Sequence, residues 1–372
     1  MINAKTDFGA VGDGVADDTA AINAASVAAT ASGGEKVFLP RGVYRITAPI
    51  VIDGVGTTLE GEGAGDKAAI SGNGPLGPTT IMCEHTAGAG IWVKQRNVTI
   101  RGIRIDSVAN REVATFSVNN SGVRVEASDT LGARVSGTTL DDVYCVGHPG
   151  DGILLAGEVT NSRLVMSGAT GCQGHGIAID GGDRTGRTNK SRPGHVDIDM
   201  CRVSRCYGNG LVIGSPNADV VGLATLPYRI TVNNLESFHL ASDATRRYGK
   251  CAVWAFGENI EIKFSAFGGA DVSGLARVND GLYIAGRCIR LIGNRYMQDA
   301  RAAVVGNRVN LPSRDIVFDG ATASHDGAAM SPAVVITAGA KGVKIRAQQQ
   351  SSEVTTWASG VAPVLVLDII PD

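Results

Sequence analysis

Asp151-Gly152-Ile153-Leu154-Leu155 and His175-Gly176-Ile177-Ala178-Ile179 carry the motif that decides the fold, which is a polar residue, a glycine and two apolar residues separated by one position. Apolar residues at every second position are typical of β-strands with one buried face. The motif recurs in the segments 89–93, 121–125, 209–213 and 280–284, with degenerate copies at 251–256, 302–305 and 333–336.

A second alternating run lies between these copies. Two strand motifs in each interval indicate that one interval is one rung of a coil. A rung cannot bury its apolar face alone, so rungs stack and share a continuous core. A barrel of eight β/α units would need eight helical patterns, and one segment, Thr19–Ala29 after Asp17 and Asp18, has a clear helical pattern. The run recurs at Val196, Ile230, Ile260, Ile289, Ile316 and Val343, at intervals of 34, 30, 29, 27 and 27 residues.

Composition agrees with many short strands joined by tight turns, because the chain has 50 glycines and only 5% aromatic residues. A net charge of −2 gives no basic stripe for nucleic acid. No apolar run approaches the roughly 18 residues of a membrane span, and the N-terminus lacks the pattern of a secretory signal. Seven cysteines without a C-x-x-C pair predict small buried thiols. We expect no metal and no cofactor.

The repeat divides the chain into three segments. Residues 1–50 are predicted to be an N-terminal cap that contains the helix and the first strand. Residues 51–347 are predicted to form the coil. Residues 348–372 break the repeat and end in an apolar run, which fits either a terminal cap or a subunit contact.

The opening of the chain resembles a known superfamily. Asp7-Phe8-Gly9-Ala10-Val11-Gly12-Asp13-Gly14 leads into Asp17-Asp18-Thr19-Ala20-Ala21-Ile22, and Val37-Phe38-Leu39-Pro40-Arg41-Gly42-Val43-Tyr44 follows. This pattern closely resembles the pectate-lyase-3-like superfamily, which includes phage tailspikes, polysaccharide depolymerases and relatives of polygalacturonases. The resemblance implies an all-β right-handed parallel β-helix, a pectin-lyase-like solenoid, with an N-terminal capping α-helix. It does not identify the chemistry, because one scaffold serves many functions.

The residue before each motif glycine occupies an equivalent place on successive rungs. Stacking predicts a polar column with neighbours about 5 Å apart. Asp151 beside His175 would make an acid/base pair, since a neighbouring carboxylate raises the pKa of a histidine and orients its ring. The alternative is that these residues only serve the turn before the glycine. The column consists of Ser121, Asp151, His175 and Asn209 and continues through Lys250 or Cys251, Asp280 and Arg301.

Gly174-His175-Gly176 is similar to the Gly-His-Gly segment of polygalacturonases. The other motifs of that family are poorly kept, since its Asn-Thr-Asp segment falls on Asn119-Asn120-Ser121 and its Asp-Asp pair on Gly150-Asp151. Its Arg-x-Lys strand falls on 211–214, where both cations are missing. Inverting hydrolysis needs two carboxyl groups roughly 6.5–9.5 Å apart. We therefore expect no polygalacturonase activity.

The turn after the glycine-led strand is long on two adjacent rungs, at 181–194 and 214–227. The first turn is rich in cations and is predicted to form a positive wall that grips an acidic glycan; a solvated loop is the alternative. Arg246, Arg247 and Tyr248 offer a second cationic group. The candidate catalytic residues are Asp151, His175, Asp180 and Asp183, and the candidate substrate-binding residues are Arg184, Arg187, Asn209, Arg246, Arg247, Tyr248 and Asp280.

The favoured function is a bacteriophage tailspike-like virion protein that binds a bacterial surface polysaccharide, such as capsule, exopolysaccharide or lipopolysaccharide. Binding alone and binding with cleavage both fit this interpretation. A virion leaves its host by lysis, which accounts for a glycan-type β-helix without a secretion signal. The resemblance implies a homotrimer and contacts with other phage tail proteins. The alternatives are a free glycan hydrolase or lyase and a structural appendage without catalysis.

Overall fold

The protein is seen here in a computed structural model, which describes residues 1–65, 77–85, 87–108, 117, 119–182, 185–214, 225–239, 251–269, 280–297, 301–305, 313–324, 334–336, 340–348, 358–360 and 366–370. Strand pairs within these residues are parallel. Each strand pairs with the equivalent strand of the next rung, so the chain is a right-handed parallel β-helix, as predicted.

The rungs build three long sheets. Sheet 1 holds the glycine-led strands Ile50–Ile52, Ile91–Val93, Val123–Val125, Ile153–Ala156, Ile177–Asp180, Leu211–Ile213, Arg301–Val305, Val334–Ile336 and Ala358–Gly360. Sheet 2 holds Ile2–Asn3, Lys36–Phe38, Thr58–Glu60, Val135–Ser136, Val159–Val165, Gly194–Asp199, Tyr228–Asn233, Lys341–Gln348 and Val366–Ile370. Sheet 3 holds Asp13–Asp17, Gly42–Ile46, Thr79–Cys83, Gly168–Thr170, Arg202–Ser204, Glu236–His239, Ala266–Gly269 and Arg295–Met297.

Five longer strands turn a corner and belong to two sheets. Thr99–Ser107, Thr139–Val146 and Arg314–Ser324 pass from sheet 2 to sheet 3. Cys251–Lys263 and Asp280–Ile292 pass from sheet 1 to sheet 2.

The predicted register is confirmed in sheets 1 and 2. Ile153, Ile177 and Leu211 pair in succession in sheet 1. The second run pairs from Val196 through Ile230, Ile260, Ile289 and Ile316 to Val343. These side chains point inward and are buried in one continuous core.

Each rung also contains a third strand, which the two strand motifs of the sequence did not reveal and which forms sheet 3. Its strands are short and polar on their outer face. Gly168–Thr170 and Arg202–Ser204 each contribute one inward apolar residue, Ala169 and Val203. One apolar residue per strand leaves no alternating pattern for sequence analysis to detect.

The motif glycines allow the rungs to approach each other. A Cβ atom on Gly176 would lie 2.0 Å from a methyl group of Val203 and 2.7 Å from the carbonyl oxygen of Gly210 on the next rung. Real side-chain carbons do not come so close, so this corner requires glycine.

The predicted capping helix is Thr19–Ala31, two residues longer than expected, and a short helix, Ala4–Phe8, precedes it. Ile22, Ala25 and Ala29 are buried in the core. The acidic residues before the helix make local bonds. Asp17 accepts from the backbone N–H of Thr19, and the buried carboxylate of Asp18 accepts from Val11 and Gly12.

The cysteines agree with the expectation of buried thiols in six of seven positions. Cys288 is exposed and is the exception. Within the described residues, no helix is long and apolar enough to cross a membrane, and no group of three or more His, Cys, Asp or Glu side chains could hold a metal ion.

Candidate functional site

The polar column exists, and it is buried. Ser121, Asp151, His175 and Asn209 have no solvent exposure. Asp151 Oδ1 accepts from the backbone N–H of His175 at 2.7 Å, and His175 Nδ1 accepts from that of Asn209 at 2.8 Å. Asn209 Oδ1 accepts from Cys251 at 3.3 Å. The side chains of Asp151, His175 and Asn209 therefore each satisfy a backbone donor of the next rung.

These bonds fix the chemistry of His175. A nitrogen that accepts a hydrogen bond carries no proton, so the ring is neutral with its proton on Nε2. This geometry agrees with the alternative that the residues of the column stabilise the turns before the motif glycines. The assignment of Asp151 and His175 as catalytic stays a prediction, and both lie beneath the surface of a single chain.

Arg187 is not part of a displayed positive wall. Its side chain is 5% exposed. The guanidinium donates to the carbonyl oxygens of Ala127 at 2.7 Å and Ser128 at 3.0 Å. It passes over Gly157 and Gly182, where a Cβ atom would lie 3.0 and 2.5 Å from it. Arg187 therefore joins the 181–194 turn to a loop of an earlier rung.

The structure describes the remaining candidate site residues only in part. Asp180 ends a strand of sheet 1 and is buried. Asp280 begins a strand in register with Cys251 and Arg301, and its side chain is outside the description. Asp183, Arg184, Arg246, Arg247 and Tyr248 lie outside the described residues.

Glu126 links these elements. Its carboxylate is 2% exposed and accepts from Arg124 Nε at 2.6 Å and the Thr185 hydroxyl at 2.7 Å. Arg187 Nη1 lies 3.4 Å from it. The segments that follow the sheet 1 strands of different rungs are thus held together by one buried carboxylate with cationic partners.

Asp129 fixes the rim of the same loop. It accepts from the backbone N–H groups of Thr188 and Asn189 at 2.8 and 2.9 Å. These two donors, with a smaller effect of Arg187, hold the pKa of Asp129 below its ordinary value. Asp129 is therefore ionised at neutral pH and is poorly suited to act as a general acid.

Beside this loop lies a pocket of about 330 Å³, at the small end of the roughly 300–1,000 Å³ range of ligand sites. Lys94 and Asp53 form an ion pair at 3.6 Å on one side, and Arg134 is exposed on the other. We call it the corner pocket; it is lined by Asp53, Lys94, Gln95, Ala127, Ser128, Ala133 and Arg134.

Trp92 adjoins the corner pocket on the outer face of sheet 1 and is partly exposed. Lys94 Nζ lies 5.1 Å from the centre of its ring and the Arg124 guanidinium 4.9 Å. The indole N–H donates to the carbonyl oxygen of Glu126 at 3.1 Å. The pocket and the adjoining Trp92 thus combine charged groups with an oriented aromatic ring, a combination that can hold a polar ligand with apolar faces. Sequence analysis missed it because the loop at 126–134 is separated from its partners by tens of residues.

A second polar group lies on the outer face of sheet 3. Arg104 is 1% exposed, and its Nε donates to Asp106 at 2.8 Å. Tyr144 is the in-register neighbour of Arg104 on the next rung, and burial raises the pKa of its phenol. Nη1 of Arg104 is buried without a hydrogen-bond partner among the described residues. A buried cation with a free donor is costly, which makes this position a candidate ligand contact.

Comparisons with known proteins agree with this fold. Residues 1–129 match the family model described as rhamnogalacturonase A/epimerase, pectate lyase-like. A mannuronan C5-epimerase of Azotobacter vinelandii, AlgE5, is 66% identical over 41 residues, which are 11% of this chain and 4% of that protein. The match spans only a small part of the relative.

Two solved structures show how far the architecture extends. The A-module of the mannuronan C-5 epimerase AlgE4 of A. vinelandii superposes with a TM-score of 0.65 at 17% identity, covering 99% of this chain and all of that module. The enzymatically active domain of bacteriophage CBA120 tailspike protein 2 superposes with a TM-score of 0.57 at 13% identity, covering 98% of this chain and 46% of that one. At these identities the similarity establishes the fold alone, which is a right-handed parallel β-helix.

Proposed function

We propose that this chain is the β-helical body of a phage tailspike-like protein and that it binds a bacterial surface polysaccharide at the corner pocket. The proposal depends on the pocket, which Lys94 and Arg134 line, and on the partly exposed ring of Trp92, which lies next to Lys94. Sugars present hydroxyl groups that need hydrogen-bond partners and C–H faces that pack on aromatic rings. The charged residues of the pocket offer hydrogen-bond partners, and the adjoining Trp92 offers an aromatic ring.

The fold supports the tailspike part of this proposal, since a phage tailspike domain shares the architecture. A virion location, a homotrimer and contacts with other tail proteins are further parts of the proposal. A trimer would leave the corner pocket of each copy usable only if the pocket lies away from the shared flank.

Binding can be measured on an array of capsular and lipopolysaccharide glycans, followed by calorimetric titration with the best glycan. Replacing Lys94 and Arg134 with methionine keeps most side-chain volume and removes both charges. We expect affinity to fall at least tenfold, since charged hydrogen bonds contribute about 1.5–3 kcal/mol each. Replacing Lys36 and Arg101, two cations of sheet 2 outside the pocket, is the matched control. Equal affinity of both variants would reject the pocket as the glycan site.

A second candidate function is modification of a uronate polymer, and the Arg104 group favours it. The family model and the epimerase relative both concern proteins named for such chemistry. Removing a proton beside a uronate carboxylate requires a cation to hold that carboxylate and a group to accept the proton. Arg104 offers the cation and Asp106 the acceptor, while the phenol of Tyr144, whose pKa burial raises, stays protonated and can donate.

Solvent deuterium provides the test for this second function. Incubating polymannuronate or polygalacturonate with the protein in D₂O should introduce deuterium at C5, seen by NMR. Arg104→Met should abolish incorporation, and circular dichroism should show that the variant keeps its β-sheet signal. Incorporation that persists in the variant would remove Arg104 from the reaction, and no incorporation by the native chain would leave binding as the function.

A further inference from the structure

The outer face of sheet 2 carries a concentration of cations on three consecutive rungs. Arg287 pairs in register with Arg314, and Arg314 with Lys341. Neighbouring strands lie about 4.8 Å apart, so these like charges are stacked directly. The other three cations of the set lie beside that column on the same rungs. We call the set the basic ladder; it consists of Arg287, Arg290, Arg314, Lys341, Lys344 and Arg346.

The ladder is exposed and only partly neutralised. Arg314, Lys341 and Lys344 are exposed. Arg287 lies 3.7 Å from Glu258, and Arg346 lies 3.6 Å from Asp319. Asp315 and Asp319 are the acids on the same three rungs of the described face, and Glu258 and Glu261 of the preceding rung lie in register with Arg287 and Arg290, so six cations face four acids. This excess stands out in a chain with a net charge of −2.

Elsewhere on sheet 2, at other positions along the strands, cations lie beside acids of a neighbouring rung. Lys36 pairs with Glu60 at 3.0 Å and Arg101 with Asp141 at 2.9 Å, in both cases across neighbouring rungs. Opposite charges across strands stabilise a sheet by a few tenths to about 1 kcal/mol, and like charges destabilise it. The stacked column of Arg287, Arg314 and Lys341 departs from this pattern, because its like charges destabilise the sheet. An anionic partner would reverse that effect.

We propose that the basic ladder binds an acidic polysaccharide chain, through carboxylate or sulfate groups that lie along the stacked cations. Arginine forks suit such groups. Nucleic acid fits less well, because single-stranded sites combine cations with aromatic rings for base stacking. The outward neighbours within the described ladder are Ile292 and Val317, which are aliphatic. This inference rests on the proposed glycan-binding function and specifies the charge of the glycan.

The ladder is also well separated from the corner pocket. Thr99, which follows the pocket residues, lies six rungs before Arg287 in sheet 2. Six rungs correspond to about 29 Å along the rod. One long polymer can therefore contact the ladder and the pocket together, and joining two weak sites raises the apparent affinity.

The experiment measures binding of polygalacturonate, an acidic polymer, and dextran, a neutral one, at increasing salt. The ladder variant is Arg314→Gln with Lys341→Gln. Its control is Arg101→Gln with Arg163→Gln, which removes two cations from the same sheet but outside the ladder. We expect the affinity for polygalacturonate to fall about fivefold for each ladder cation removed, which is the scale for basic side chains near an anionic surface. The double variant should therefore bind polygalacturonate roughly 25-fold more weakly, and its binding should depend less on salt. The control should bind like the native chain.

Thermal unfolding separates this role from a structural one. Removing stacked like charges should leave the unfolding temperature of the ladder variant equal or higher. A ladder variant that binds polygalacturonate as tightly as the control overturns the inference, and so does native binding of dextran equal to that of polygalacturonate. If single-stranded DNA binds more tightly than polygalacturonate through the same cations, the proposed class of partner is wrong. The Lys94/Arg134 variant distinguishes the two proposals, because loss of binding there alone supports the pocket and rejects the ladder.

Discussion

Two substitutions of one residue, His175→Ala and His175→Asn, separate a structural from a catalytic role for the polar column. His175 Nδ1 accepts from the backbone N–H of Asn209, and the ring is fully buried. Alanine removes the acceptor, which costs about 1–3 kcal/mol for the stranded donor, and leaves a cavity where the ring was. Together we expect a loss of roughly 3–5 kcal/mol in the free energy of unfolding.

Asparagine should restore much of this loss. Its amide oxygen can accept at nearly the position of Nδ1, and the column already uses asparagine at Asn209 and an aspartate at Asp151. An unfolding entropy of about 2.1 cal/mol/K per residue gives about 0.8 kcal/mol/K for 372 residues. His175→Ala should therefore lower the unfolding temperature by about 4–6 °C, and His175→Asn by less than half of that.

Circular dichroism during heating measures both variants, and hydrogen exchange reports the Asn209 amide directly. Exchange at this amide should accelerate in His175→Ala and remain slow in His175→Asn. Equal unfolding temperatures and equal exchange in the two variants would refute the acceptor argument. Where glycan cleavage is detected, a folded His175→Asn protein that retains turnover would exclude His175 as a catalytic residue, and one that loses it would support that prediction.

Three further predictions concern the cap, a rung corner and the thiols. Hydroxyl groups of Thr19 and Thr47 lower the pKa of Asp17 to about 2 from 3.8, so its contribution to stability is present above pH 4 and is lost as the pH falls to 2. Asp17→Asn should flatten the decline of unfolding temperature over this range, and an unchanged decline would contradict the assignment. Gly176→Ala should cost about 3 kcal/mol by overpacking, whereas Gly171→Ala, with open space but a positive φ, should cost about 1–2; denaturant midpoints would show whether this order holds. A thiol reagent should label one cysteine of the native chain, and none after Cys288→Ser, because the other six are buried and burial raises the pKa of Cys83 and Cys145; rapid labelling of a second thiol would count against the buried arrangement.

The regular stacking of the rungs was predictable because it depends on sequence patterns that span only a few residues. The intervals from Val196 to Val343 gave the correct register of sheet 2, and the glycine-led motif gave that of sheet 1. Sheet 3 escaped detection because strands such as Gly168–Thr170 bury a single apolar side chain. A pattern with one apolar residue has no period.

The candidate site was predicted less well. The column was placed correctly, but its burial was not foreseen, since exposure depends on what lies outside each rung. Arg187 was expected to face a ligand and instead binds the carbonyl oxygens of Ala127 and Ser128. Its partners are about 60 residues away in the chain, and no spacing rule connects a surface loop to a loop of another rung.

The amino-acid sequence alone determined that this protein is a stack of rungs, because alternation and glycine placement act within a few residues and repeat. Tertiary structure decided which polar groups are buried and hold neighbouring rungs together, which line a pocket, and which cations stack on consecutive rungs. Those outcomes depend on loops of unequal length that cross several rungs, and on the summed charge of residues brought together only when the coil closes.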